Sequence, residues 1–565
     1  MTRNNNTLTP GGTGDRLFAA CEAEKGILRR LSDVFEESGY RQVRTPGLEF
    51  LSVFSSAASY FPPEEMFKMS DAGGRLIAVR PDNTIPIARL TATRLRGAEL
   101  PLRIYYTQSV FRRQPENRGR DSEVLQAGVE FIGEAGFAAD VDMIALAVRS
   151  LSETYAGRFR IEIGHVGLYK YLIERLGASE DDLGRIHRYV VSKNYASLGE
   201  VLDGYDGSDA AALLRKLPGL FGGAEVLDEA AAAFADAGAD VRGMLDYLKQ
   251  VVDALAARGL AGAVMIDLGL VNQAEYYSSL VFRGYGESAG EPLLSGGRYD
   301  GLFADFGEDL PATGFGVNVD LLTEAALGGG GRLQAAPTPP VATVRNLGAA
   351  ALGRPLRIAL TKGRLEKDFT ALLERAGYDA APLKEMGRRL LVQLSAPEGG
   401  DAPGIEVFLA KAADVVTYVD HGVCDIGIVG KDTMLEHGGT YYEIMDLGFG
   451  KCRFVFAAPE GGRVLRGEAP AVVASKYPNY AARVFERKGL DVRIIKIDGS
   501  VEIAPLLGLC DGIVDIVETG TTLAENGLVA CETIRDISAR LIVNVTGMKL
   551  RKREVEGFAA RLRGV

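Results

Sequence analysis

The stretch GIVDIVETGTTLAENG, Gly512–Gly527, holds the residues best placed to do chemistry. A short β-branched run carries two carboxylates, Asp515 and Glu518, and passes through a Thr-Gly-Thr-Thr loop into a helical segment. A strand, tight loop and helix start in that order aim backbone N–H groups and hydroxyls at one point, and the helix dipole adds positive potential there. Gly520 lets backbone approach an anion closely, and Thr519, Thr521 and Thr522 supply donors, so the loop suits a phosphate. A carboxylate just before the loop can reach a sugar diol or a magnesium ion. Together these parts describe a phosphoribosyl pocket. The plain alternative is a strand-to-helix turn with Thr as an ordinary N-cap. Asp515 and Glu518 are an odd number of positions apart, so on a regular strand only one of them faces the pocket, unless the loop bend brings both in.

Other loops of the same design lie upstream. The buried run Leu356–Leu360 is followed by Thr361, Lys362, Gly363 and Arg364 and then a helix over Leu365–Ala376. Lys362 and Arg364 can neutralise a pyrophosphate, one as a point charge and the other as a fork. Cations at a helix start oppose the dipole, which argues against a purely solvated role. Val429 leads into Gly430, Lys431 and Asp432, a secondary nucleotide-site candidate. Gly499, Ser500 and Glu502 open another helix, with Ser500 as N-cap candidate. For Glu502 and Asp432, capping and surface roles are the alternatives. Strands at Ile405–Ala410, Asp425–Val429, Phe454–Ala458, Ala471–Ser475 and Val492–Ile497, with a helix at Ala412–His421, predict an open α/β sheet with ligand loops at strand ends.

The chain must be large enough to position these loops. Its 565 residues allow three or four domains, and 47% hydrophobic content is ample for their cores. A net charge of −11 and a pI near 5.2 argue against a general nucleic-acid binder. Five cysteines and four histidines lack metal or disulfide spacing, so no protein-bound metal site is expected. The polar start MTRNNNTLTPGGTGD has no apolar targeting segment and no long apolar run follows, which predicts a cytoplasmic protein without membrane contact.

After a disordered lead over residues 1–14, Asp15–Ser38 has helical spacing and ends at Gly39. Tyr40–Glu49 is an extended segment suited to a sheet edge or dimer interface, or a plain connector. Leu76–Leu90 reads as a strand, an Arg-Pro-Asp-Asn-Thr turn and a helix from near Pro86. Arg103–Phe111 and Glu123–Gly133 form a hairpin around the basic loop Arg112–Ser122. Further strands lie in Val264–Phe282, Leu294–Asp300 and Gly314–Asp320, and Ser150–Leu260 reads as a helical insertion.

The ordered motifs RPDNT, FRRQPENRGR, QAGVE, EYYSSLVF, GGRYDGL and GFGVNVDLL resemble the catalytic core of class II histidyl-tRNA synthetases over about residues 10–325. The resemblance implies an antiparallel sheet flanked by helices, a dimer and a histidine pocket lined by Asp82, Arg112, Gln126, Glu130, Tyr276 and Tyr277. The synthetase pattern has an activating Arg before its Tyr-Tyr pair, where this chain reads Asn272, Gln273, Ala274 and Glu275. Losing a positioned cation costs orders of magnitude in rate. No anticodon-binding domain follows Leu322, so tRNA binding and aminoacylation are not expected. This half resembles instead the regulatory subunit of ATP phosphoribosyltransferase.

Gly328–Gly331 and Ala335–Pro340 form a linker over residues 328–354, which separates a regulatory domain, 15–327 with its insertion at about 150–260, from a domain at 355–565. The motifs TKGRL, DIGIVGKD, DGSVEIAPL and IVDIVETGTTLAENGL resemble the short-form catalytic subunit of ATP phosphoribosyltransferase, a two-lobed α/β domain like type II periplasmic binding proteins. What the resemblance implies is attack of adenine N1 of ATP on phosphoribosyl pyrophosphate, the first step of histidine biosynthesis, with magnesium arriving on substrate phosphates. In that reading Thr519–Thr522 hold the 5′-phosphate, Glu518 or Asp515 the ribose hydroxyls or magnesium, and Lys362 and Arg364 the pyrophosphate. Histidine is the expected inhibitor, and a homo-oligomer built from synthetase-like dimers the expected assembly. Aminoacylation, a solute-binding module and a regulatory half acting only as scaffold are the alternatives.

Overall fold

In the computed structural model the described residues are 9–55, 65–114, 121–191, 193–235, 237–271, 276–287, 290–327, 354–385, 387, 389–396, 403–459 and 471–564. The Asn272–Glu275 substitution and the Gly/Pro-rich linker lie outside them. The chain divides into two units, Met1–Ala350 and Ala351–Val565.

The first unit is organised on a nine-stranded sheet. The long hairpin Leu102–Phe111 and Glu123–Ile132 pairs antiparallel with Ala312–Asn318, then Leu294–Arg298, Leu280–Gly286 and Phe159–His165 follow. Two pairs are parallel: Phe159–His165 with Val264–Asp267, and the edge strand Arg41–Gln42 with Leu102–Phe111. The strand period of two puts alternate side chains on opposite faces. Tyr105, Ala127, Val129 and Phe315 therefore face one core under the helices Ala19–Glu37, Phe137–Thr154 and Ala239–Ala257, while Tyr106, Val281 and Tyr299 face a second. Ser150–Leu260 is not wholly helical as expected: FRIEIGH, Phe159–His165, is a strand buried within the sheet, and among the described residues six α-helices from Val166–Leu176 to Ala239–Ala257 follow it. The helix predicted near Pro86 starts at Thr84, where the Asp82 carboxylate accepts the Ile85 N–H at 2.9 Å.

The second unit has two mixed sheets. Leu356–Thr361 lies between Ile405–Ala410 and Ile426–Gly430 in parallel, and the six-stranded sheet is extended by Leu391–Leu394, Ala539–Asn544 and Tyr441–Asp446. The five-stranded sheet runs Val492–Lys496, Ala471–Ser475, Gly512–Val517, Cys452–Pro459 and Leu528–Ile537. The chain crosses to the second sheet after Tyr441–Asp446 and returns through Ser538. The two crossovers bond to each other: Leu447 N–H donates to Ala539 C=O and Ala539 N–H to Phe449 C=O, both at 3.0 Å. Each sheet packs its own apolar cluster. No helix among the described residues is long and apolar enough to cross a membrane.

Candidate functional site

In the first unit the second face of the sheet encloses a cavity of about 320 Å³. Asp82, Arg112, Gln126, Tyr276 and Tyr277 line it. Gln126 and Glu130 share a strand face, and Gly128 between them is required there: a Cβ would lie 2.4 Å from the Tyr106 hydroxyl oxygen and 2.5 Å from the Phe315 carbonyl oxygen. Glu130 sits behind the wall rather than in it. Its carboxyl accepts the Thr84 hydroxyl at 2.7 Å and the Tyr299 hydroxyl. Burial, with the Asp82 charge adding to it, pushes Glu130 well above the carboxylate range, while the Thr84 bond opposes the shift. Burial also raises Asp82, opposed by the Ile85 N–H and the Arg112 charge. Tyr276, Tyr277 and Tyr299 stack edge and tilt against one another at centroid distances of 4.8 to 6.2 Å. Acid, amide, phenol and guanidinium groups around one small space suit a polar zwitterion with a second hydrogen-bonding ring. Thr84, Tyr106, Arg283 and Tyr299 also border the cavity and escape sequence reasoning. Only the alternation of Gln108, Tyr106 and Ile104 along their strand hinted that Tyr106 faces inward.

In the second unit the predicted loops converge from two sheets. Lys362 is exposed at the end of Leu356–Thr361, and Gly363, at φ 100°, caps the helix Arg364–Arg375, its N–H bonded to Glu366 at 3.0 Å. Glu518 follows Gly512–Val517 in the other sheet, yet Arg364 Nη1 and Glu518 Oε2 meet at 2.5 Å. That hydrogen bond and charge raise the already basic guanidinium further. Gly520 takes φ 87°, the left-handed region that glycine enters without strain, and turns the chain into Thr521–Glu525. The Thr519 and Thr521 hydroxyls lie 3.0 Å apart, with Thr522 exposed beside them. Asp515 is part-buried and accepts the Ile516 N–H at 2.8 Å. Burial lifts its pKa to about 6, with the Glu502 and Asp432 carboxylates adding to the rise and Lys476 opposing it. Asp515, Glu502 and Asp432 therefore share one electrostatic neighbourhood.

Three expectations change. Lys431 is 1% exposed and its Nζ pairs with Glu443 at 2.5 Å, so its charge is committed to the interior, beside Gly430, rather than offered to a nucleotide. Asp432 accepts the Tyr477 hydroxyl at 2.9 Å. Ser500 is not an N-cap: the helix is Ile503–Leu506, and Glu502 occupies the cap position with no side-chain capping bond. Gly499 and Ser500 lie in the exposed bend before it. Tyr477 and Cys452, which share the electrostatic surroundings of Asp432, Asp515, Arg364 and Glu518, carried no sequence signal.

The first unit thus has a synthetase-like fold with a polar cavity, and the second unit is a two-sheet α/β domain whose strand-end loops present hydroxyl and cationic groups. The histidyl-tRNA synthetase family model matches residues 12–322, and the ATP phosphoribosyltransferase family model matches residues 411–564. The ATP phosphoribosyltransferase regulatory subunit of Ruminiclostridium cellulolyticum is 37% identical over 320 residues, 56% of this chain and 75% of that protein. That of Clostridium kluyveri is 37% identical over 314 residues, 55% of this chain and 80% of that protein. A solved ATP phosphoribosyltransferase regulatory subunit/histidyl-tRNA synthetase from Bacillus halodurans C is 28% identical with a TM-score of 0.53, covering 74% of this chain and 95% of its own. The chain belongs to the histidyl-tRNA synthetase family, in its ATP phosphoribosyltransferase regulatory-subunit branch, and carries an ATP phosphoribosyltransferase domain in the same polypeptide.

Proposed function

We propose that the second unit condenses ATP with phosphoribosyl pyrophosphate, forming the bond from adenine N1 to C1 of the ribose and releasing pyrophosphate, and that histidine bound in the first unit lowers this activity. The observation that carries the catalytic assignment is the meeting of Arg364 and Glu518 from loops of different sheets, in a unit matched by the transferase model. Adenine N1 already holds a lone pair, so the protein's work is to orient it and to stabilise the departing negative charge. Thr519, Gly520, Thr521 and Thr522 hold the 5′-phosphate. Glu518 or Asp515 takes the ribose hydroxyls, and Lys362 and Arg364 receive the pyrophosphate charge. Gly499, Ser500 and Glu502 border the sugar, and Asp432 is a weaker contact held by Tyr477.

The donor set fits magnesium that arrives with substrate. Burial lifts Asp515 to about 6, and the Glu502 and Asp432 carboxylates add a repulsion that a divalent cation relieves. Such an ion needs only one or two protein carboxylates beside phosphate oxygens, and Asp515 or Glu518 would supply them. When bound it neutralises phosphate charge.

The finer fold reading is a two-lobed domain of the type II periplasmic-binding-protein kind, supported by the double crossover at Asp446 and Ser538. The domain limits we favour are 15–327 and 355–565, with 328–354 as linker. In the regulatory unit Asp82, Gln126, Arg112 and the tyrosines contact histidine, Glu130 supporting them from behind. Dimerisation through the regulatory domain and residence in the cytoplasm complete the reading. Formation of phosphoribosyl-ATP, followed by its ultraviolet absorbance with and without histidine, tests it. Suppression by histidine supports both assignments, activity indifferent to histidine removes the sensor, and no activity in a folded sample with magnesium removes the transferase.

A further inference from the structure

Arg364 and Glu518 belong to different sheets and, in the reading above, to different parts of one substrate: Arg364 to the pyrophosphate and Glu518 to the ribose. Here they hold each other at 2.5 Å, and each is 56% exposed. Beside the Tyr477–Asp432 bond, other contacts joining the two sheets are of another kind. The crossovers bond backbone to backbone, and the buried Glu436 carboxylate accepts the N–H groups of Asn479 and Tyr480 at 3.2 and 2.9 Å, at the start of the helix Pro478–Arg487. Those bonds are made by groups with no substrate to exchange for. An exposed ion pair is worth little in water, so a multivalent anion displaces it readily.

We propose that the Arg364–Glu518 pair is a placeholder: without substrate each residue occupies the other's ligand position, and a diphosphate taken by Arg364 releases Glu518 to the ribose. This rests on the assignment of Arg364 to pyrophosphate. A substrate bearing both groups on one sugar replaces both halves of the pair at once. A diphosphate alone replaces one half and leaves a freed carboxylate facing added negative charge. Glu518 thereby discriminates against pyrophosphate as a bare ligand and product, and in favour of the phosphoribosyl substrate.

The test uses the full chain and inorganic pyrophosphate, titrated calorimetrically at low ionic strength where exposed charges are least screened. Four proteins are compared: the parent, Glu518→Gln, Arg364→Gln and the double variant. Both side chains are more than half exposed, so the substitutions leave the cores intact, and melting curves check this. Glu518→Gln should bind pyrophosphate about three- to fivefold more tightly than the parent, the value of one exposed pair. With Gln at 364, the same change should gain clearly less, because no pair is left to break and only the carboxylate's repulsion is relieved. An equal gain in both backgrounds means that Glu518 acts as a distant charge and overturns the placeholder. No gain, or a loss, overturns it as well. If Arg364→Gln fails to weaken binding, the pyrophosphate assignment itself falls, a result distinct from the other two.

Discussion

The cavity of the regulatory unit and the cleft of the transferase unit handle charge in opposite ways. Asp82, in the turn before Thr84–Thr93, and Glu130, on a sheet strand, are both buried with backbone and hydroxyl partners already in place, and burial raises both. Arg364, Glu518 and the Thr519–Thr522 loop stand at strand ends, exposed and paired across two sheets. A sensor of a small zwitterion gains from walls that do not move, because affinity then loses little to ordering. A transferase must admit two large anions and release two others, so its charges sit where water and ligands can exchange. Preorganisation is high in the first region and partial in the second.

The largest effect that would sharpen this contrast is in the cleft. Arg364→Gln should lower kcat/KM for phosphoribosyl pyrophosphate about 10²- to 10³-fold, as expected for a positioned group facing leaving charge. Histidine titration of the same variant should be unchanged. In the cavity, Asp82→Asn removes a charged acceptor and should raise the histidine concentration needed for inhibition about tenfold to a hundredfold, the value of a hydrogen bond to a charged group. A change in turnover without histidine as large as that in inhibition would break the separation of roles.

Asp515 stands between the two cases, part-buried but in the open cleft. Its folded pKa of about 6 lies above the ordinary 3.8, so between those values the folded protein holds a proton that the unfolded chain has released. The stabilising contribution of that proton is full at low pH and is lost as pH rises through about 6. Asp515→Asn should therefore stabilise the unit at pH 8 by about 3 kcal/mol at most and give no gain well below pH 3.8, where the carboxyl is protonated in both states. Denaturant midpoints at the two pH values measure this. Activity should move the other way, falling in the variant at every pH and in the parent as pH drops below about 6. A variant both more stable and fully active would remove Asp515 from the catalytic set.

The loops were legible because each joins a β-branched run to Gly and Thr or to a cation at a helix start, a local pattern with a local cause. Pairing between distant residues was not. Lys431 reads as a loop cation until Glu443, on a neighbouring strand, buries it. Glu130 reads as a pocket acid until Tyr299 and Thr84 close over it. Phe159–His165 was lost in a helical stretch because Arg160 and Glu162 within it and His165 at its end break the look of a buried strand. Leu528–Ile537 was missed for the reverse reason. It is largely exposed along one edge of its sheet, so LVACETIRDI shows no alternation.

The smallest predicted effect asks how firmly the cleft is framed away from its exposed pair. Tyr477 precedes the helix Pro478–Arg487 of the second sheet, and its hydroxyl donates to Asp432 beside the first. Tyr477→Phe keeps the ring on Phe454, 5.0 Å between centroids, and removes only that bond. The cost should be about 1 kcal/mol, or less if water replaces the hydroxyl. Because Glu436 still accepts Asn479 and Tyr480, the sheets should stay joined and KM for both substrates should change by less than about twofold. Thermal unfolding gives the first quantity and initial rates the second. A rise in KM far beyond that, with little loss of stability, would show that Asp432 must be held by Tyr477 to serve the substrate, and that the cleft is more finished before binding than its exposed ion pair implies.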